Sequence, residues 1–172
     1  MKKYFLFGGI VLLFGIVINY SLGGFKPIDG QLISTKQTSL YGHFYEGSHS
    51  SDSLVNQVDF LRKLLDENNI DGRLTIVNYI QPGLEKRGMV KQFIGIEATS
   101  FVLRKKLSLD TLIIKAYNGI QFRIPIKPLV MPSPEKLKKI ATQAAIDMNS
   151  ELAGFSIEFY ADNLLITNYP FK

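Results

Sequence analysis

Two stretches of helical periodicity, each trailed by a pair of strand-like runs, restrict the fold of this chain more than any single residue does. In the first, Leu54, Val58, Leu61 and Leu65 recur at i, i+4, i+7 and i+11 between about Ser51 and Asn68, which aligns one apolar stripe on a helix. The preceding SHSSDS carries N-cap chemistry, and Asn69-Ile70-Asp71-Gly72 ends the segment. In the second, MPSPEK opens the helix with Ser133 as N-cap, Pro134 at the first helical position and Glu135 set to meet the helix dipole. Leu137, Ile140, Ala141, Ala144 and Met148 then make its apolar face.

Runs rich in β-branched and aromatic residues flank both helices. GQLISTK and TSLYGHFYEG precede the first; RLTIVNYI and MVKQFIGIEA follow it, joined by the polar loop QPGLEKRG. TLIIKAYNG and IQFRIPIKP precede the second, which is followed by FSIEFYADNLLITNYPFK, two strands around an Ala161-Asp162-Asn163 turn. One order of strand, helix, strand, strand therefore occurs twice, over about 31–100 and about 110–172. The expected fold class is α+β: duplicated strand-helix-strand-strand units forming an antiparallel sheet, with two helices on one side and a cleft between the units. Two unrelated α+β pieces in series are the alternative.

Residues 1–25 stand outside this pattern. After Lys2 and Lys3 there is no charge until Lys26, and an uncharged helix from Tyr4 to Phe25 would be about 33 Å long, against ~30 Å of hydrocarbon in a bilayer. The expectation is one N-terminal transmembrane helix or signal anchor, touching the membrane through residues 4–22. Lysines ahead of the span favour a cytoplasmic N-terminus and an extracytoplasmic domain. A signal peptide cleaved near Ser21-Leu22-Gly23, giving a secreted or periplasmic protein, is the alternative. After the linker SLGGFKPIDG, residues 26–172 form the domain.

Composition narrows the chemistry. The 172 residues include no cysteine, which excludes thiolate nucleophiles, disulfides and Cys-ligated zinc. The net charge of +5 comes from 20 Lys and Arg against 15 Asp and Glu. Its clusters, Arg104-Lys105-Lys106 and Lys136, Lys138 and Lys139, are short enough to be solvated surface, so no nucleic-acid partner is expected. His43 and His49 with Glu46 and Asp52 make a poor metal set, and no G-x-S-x-G elbow occurs. Hence no metal, cofactor or catalytic residue is assigned.

Binding residues are the more promising class. By strand alternation Tyr41, His43 and Tyr45 share one face, and so do Glu158 and Tyr160. Tyrosines bordering a cleft give an apolar wall with a polar tip. These five are candidate ligand contacts.

YGHFYEGSHSSDSLVNQVDFLRKLLDENNID, followed by LTIVNYIQPG and QFIGIEA, resembles the first half of the GyrI-like (gyrase-inhibitor-like) effector-binding domains, and ELAGFSIEFYADNLLITNYPF resembles the ending of their second half. The resemblance spans about Gln31 to Phe171. It implies a small-molecule-binding module of the kind found in regulators that sense hydrophobic cations, in gyrase-inhibitory proteins and in some hydrolases. In the family a ligand-sensing acid projects from the last strand, just before an aromatic-x-Pro ending. The matching position here is Asn168, within Thr167-Asn168-Tyr169-Pro170. An amide offers hydrogen bonds without charge, so Glu97 or Glu158 would have to replace that acid. The resulting expectation is a membrane-anchored protein that binds an amphipathic small molecule and performs no catalysis. Its alternatives are a protein-interaction scaffold at the membrane and a hydrolase in which Glu97 or Glu158 activates water.

Overall fold

A computed structural model describes residues 13, 15, 27–67, 71–85, 87–98, 108–127, 130–161 and 163–172. Its elements run β1 (Gly30–Thr35), β2 (Thr38–Ser48), α1 (Asp52–Glu67), β3 (Gly72–Tyr79), a four-residue α2 (Pro82–Glu85), β4 (Met89–Ala98), β5 (Asp110–Ile114), β6 (Tyr117–Pro125), α3 (Pro134–Asp147), β7 (Phe155–Ala161) and β8 (Leu164–Pro170). Each long helix begins where its capping residues place it. The Ser53 amide donates to the Ser51 hydroxyl at 3.2 Å, and the Lys136 amide donates to the Ser133 hydroxyl at 3.3 Å, satisfying donors that the helix itself leaves free.

All eight strands join one antiparallel sheet in the order β1-β6-β8-β7-β3-β4-β2-β5. Read from either edge, the sequence of strand roles is the same, and the two halves meet at the β7–β3 ladder, where Val77 opposes Ile157. Two strands precede each helix, one for each of the two strand-like runs there, so each strand-helix-strand-strand unit carries an additional strand at its start. The outer one does not stay with its own half. β1 pairs with β6, with Leu32 opposite Ile120, and β5 pairs with β2, with Leu112 opposite Leu40.

The helices cover the two halves separately. Leu61 of α1 is fully buried among Tyr41, Tyr45, Ile94 and Ile96, with Leu54, Val58 and Leu65 packed around them. Leu137 and Ala141 of α3 pack on Ile120, Phe122, Leu165 and Tyr169. Met148 departs from the expected apolar face: it is the C-cap residue and is exposed, while Ala145 is buried in its stead. The spacing Leu137, Ala141, Ala145 keeps the stripe on the sheet, whereas Met148 comes after the last helical residue, Asp147.

The opposite face is curled inward. Neighbouring strands lie ~4.8 Å apart, so β5 and β7, four steps removed, would sit about 19 Å apart in a flat sheet. Instead Ile114 of β5 and Ile157 of β7 belong to one packed cluster with Leu40, Val77 and Phe93, as in a half-barrel. Close strand approach on this sheet depends on Gly42, opposite Gly95: a Cβ there would lie 1.9 Å from the Ile94 carbonyl oxygen.

One expectation is corrected. Among the described residues no helix is long and apolar enough to cross a membrane, so a single-pass protein with a cytoplasmic N-terminus and an extracytoplasmic domain is not supported. Hydropathy alone had suggested it, and the apolar segment concerned, apart from Leu13 and Gly15, lies outside the described residues, as does the Arg104-Lys105-Lys106 run.

Candidate ligand site

The connections β1–β2 and β5–β6 join strands of opposite halves, and beneath them the helix-free face keeps a cavity of two adjoining chambers. One, of about 350 Å³, is apolar and is lined by Val77, Tyr79, Leu112, Phe155 and Pro170. The other, of about 270 Å³, is lined by Thr38, Arg73, Thr75, Glu97, Phe159 and Asn168. Ile114 and Tyr117 belong to both walls.

Glu97 and Asn168, from the last strand of each half, thus reach the same chamber. Neither is an open acid. Glu97 accepts from the Arg73 Nε at 2.6 Å and from the Thr38 hydroxyl at 3.0 Å, so each carboxylate oxygen already has a partner. The Arg73 guanidinium carbon lies 3.7 Å from the centre of the Phe159 ring, which fixes its plane by a cation–π contact. Asn168 is buried; its Oδ1 accepts from the Gln121 amide at 3.0 Å and its Nδ2 donates to the Tyr117 hydroxyl at 3.0 Å. Burial pushes the Tyr117 hydroxyl above its ordinary pKa, against the lowering effect of the Asn168 bond. It therefore stays protonated at neutral pH, and the hydroxyl has Thr35 as well as Asn168 for a hydrogen-bond neighbour. The Thr75 hydroxyl, also lining this chamber, is buried without a hydrogen-bond partner among the described residues.

The remaining expected contacts lie on the helix-bearing face. Tyr41 and Tyr45 are core residues beneath α1, and the Tyr45 hydroxyl donates to the Ser48 carbonyl at 2.8 Å. His43 sits at the α1 edge, its Nδ1 4.0 Å from an Asp110 carboxylate oxygen. Glu158 and Tyr160 project from the central strand β7 towards the gap between the helices. Burial raises the Glu158 carboxyl above the usual range, with an Asn78 hydrogen bond opposing it. Tyr160 is half exposed, its hydroxyl raised by burial and by the Glu158 charge. Alternation grouped these residues correctly by face, but it did not bring Glu97 or Asn168 together with them. Arg73 and Tyr117 were not among the expected contacts. Arg73 stands opposite Glu97 in the β3–β4 register, so the hairpin already legible in the sequence could have revealed that pair.

Several solved structures share this fold. The EcmrR C-terminal domain is 11% identical, with a TM-score of 0.61 over 84% of this chain and 98% of that one. SAV2435 bound to tetraphenylphosphonium is 11% identical, with a TM-score of 0.53 over 84% of this chain and 94% of that one. A hydrolase encoded by lin2189 from Listeria innocua is 10% identical, with a TM-score of 0.52 over 86% of this chain and 94% of that one. No protein-family model matches the sequence, and no curated protein matches it. The chain shares the fold of these structures, a curled eight-stranded antiparallel half-barrel sheet with two helices, which in SAV2435 and the EcmrR C-terminal domain is the GyrI-like effector-binding fold.

Proposed function

We propose that residues 26–172 act as an effector-binding domain whose ligand is an uncharged amphipathic small molecule held on the helix-free face. Its apolar body lies against Val77, Tyr79 and Phe155. Its polar end meets the Tyr117 hydroxyl, the Asn168 amide and the Arg73–Glu97 pair. The observation that carries this reading is the chamber in which a buried amide, Asn168, and a carboxylate paired with Arg73, Glu97, are the polar groups of the two last strands; the sequence resemblance aligns Asn168 with the family's acid. A lipophilic cation such as the tetraphenylphosphonium of SAV2435 would find no unpaired carboxylate there among the described residues, and desolvating a cation without a partner is costly. The ion pair with Arg73 and the Thr38 hydrogen bond also compete with water for Glu97, which speaks against it as a water-activating base, despite the hydrolase name of one structural neighbour.

Thermal denaturation with triphenylphosphine oxide and with tetraphenylphosphonium tests it. The neutral compound at 100 times its dissociation constant should stabilise the protein by about 2.7 kcal/mol, and Tyr117→Phe should weaken its binding. A cation that binds more tightly than its neutral counterpart, or neutral binding indifferent to Tyr117→Phe, would overturn the assignment.

A further inference from the structure

β1 and β5 are the two outer strands of the sheet, and their edges differ. β5 begins on a charged residue, Asp110, whose carboxylate lies 4.0 Å from the His43 ring. β1, with the sequence GQLIST, holds neither charge nor proline in its six residues, and its outer backbone has no neighbouring strand among the described residues. Such edges are normally blunted by a lysine, a proline or a bulge, because their free amides and carbonyls accept another extended chain. β1 has no bulge against β6: its register runs unbroken from Gly30 opposite Phe122 to Thr35 opposite Tyr117. Leu32, opposite Ile120 and so on the helix-bearing side, is 59% exposed.

Charges stand only at the two ends of this strand. Asp29 precedes it and Lys36 follows it; both are exposed, and neither forms an ion pair among the described residues. An antiparallel copy of β1 would lay Asp29 of each chain beside Lys36 of the other, two identical complementary contacts, whereas a parallel copy in register would set Asp29 against Asp29. Residues directly opposite in an antiparallel ladder share a face of the sheet, so a two-fold axis through the pair passes between identical residues. Placed at Leu32, it brings the exposed leucines together, with Gln31 opposite Ile33 and Gly30 opposite Ser34 of the second copy.

We propose that β1 is a self-association edge: two copies of this chain pair their β1 strands antiparallel about Leu32, joining their eight-stranded sheets edge to edge in a closed two-fold dimer. The occupant is a second copy because the strand supplies both halves of its own charge pattern. Thr35 and Lys36 also line the polar chamber, so the Asp29 of the second copy arrives at the rim of the two-chambered cavity.

The chain contains no cysteine, so Leu32→Cys introduces its only thiol. Directly opposed residues in an antiparallel pair have Cα atoms about 4.5–5.5 Å apart, within the ~4.4–6.8 Å that a disulfide spans. Mild oxidation of the full chain carrying Leu32→Cys therefore gives a covalent dimer, while Met148→Cys, equally exposed at the end of α3, and Ile113→Cys, exposed on β5, stay monomeric on denaturing gels. In sedimentation equilibrium Asp29→Lys and Lys36→Glu each weaken dimerisation by about threefold or more, as two opposed charge pairs require, and the double variant Asp29→Lys/Lys36→Glu regains it. The proposal falls if Leu32→Cys crosslinks no faster than Met148→Cys, or if the double variant associates no better than either single one. It falls too if, in a mixture, Leu32→Cys crosslinks more readily to Ile113→Cys than to itself, because β1 would then meet β5 of the next chain in an open-ended assembly.

Discussion

The Asn168–Tyr117 hydrogen bond offers the most direct measure of how firmly the two-chambered cavity is organised. Tyr117→Phe removes an acceptor and leaves the Asn168 Nδ2 unpartnered in a side chain only 5% exposed. A stranded buried donor costs about 1–3 kcal/mol, or roughly 2–12 °C in midpoint at about 2–4 °C per kcal/mol for a chain of this size. Asn168→Leu keeps the volume but strands the Tyr117 hydroxyl and the Gln121 amide, both of which are partly exposed. Those groups can turn to water in the cavity, so the cost falls at the lower end of the same range, about 1 kcal/mol. In the double variant both partners are gone, and Tyr117→Phe adds only a few tenths of a kcal/mol to Asn168→Leu. The cycle should therefore show a coupling of about 1–2 kcal/mol, read from urea denaturation midpoints with unchanged slopes. Equal costs of Tyr117→Phe in the two backgrounds would refute the claim that this pair is a specific, desolvated bond.

Two further outcomes follow from the packing and the charges. Because the Glu158 carboxyl is raised in the folded protein, the folded state holds its proton more tightly than the unfolded chain does. That contribution is complete below the unfolded carboxyl value of about 4.3 and is lost as pH rises through the raised folded value. Glu158→Gln should remove this decline and leave the variant relatively more stable at neutral than at acid pH, as measured by denaturation across pH 4–8; a parallel pH dependence in both proteins would contradict it. Leu61→Ala, at a position with no exposure, should cost about 2–5 kcal/mol, whereas Val55→Ala on the open side of α1, 53% exposed, should stay within about 0.5 kcal/mol; similar losses in both would mean that α1 is not seated as described.

The helices and most of the strands were legible because local chemistry decides them: a Leu-rich stripe, serine caps and a proline at the first helical position act over a single turn. Alternation also sorted Glu158 with Tyr160 and Tyr41 with Tyr45. What it could not supply was which face the helices would cover, because both faces of these strands carry aromatic residues. Tyr41 and Tyr45 are therefore buried under α1 rather than lining a cleft. The pairing of β1 with β6 was equally hidden, since a strand's own side chains do not say which distant edge completes it. Hydropathy over the N-terminal segment and the lysines ahead of it measure apolar length and charge bias alone, and among the described residues no helix is long and apolar enough to cross a membrane.

The outermost ribbon of each half is donated by the other. Splitting the gene product near residue 100 would strip β2, β6, β3 and β7 of a neighbour apiece, exposing bare amides and carbonyls along all four. A single half could cover those edges only by pairing with a second molecule, so the isolated fragment should cross-dimerise or aggregate instead of persisting as a monomer.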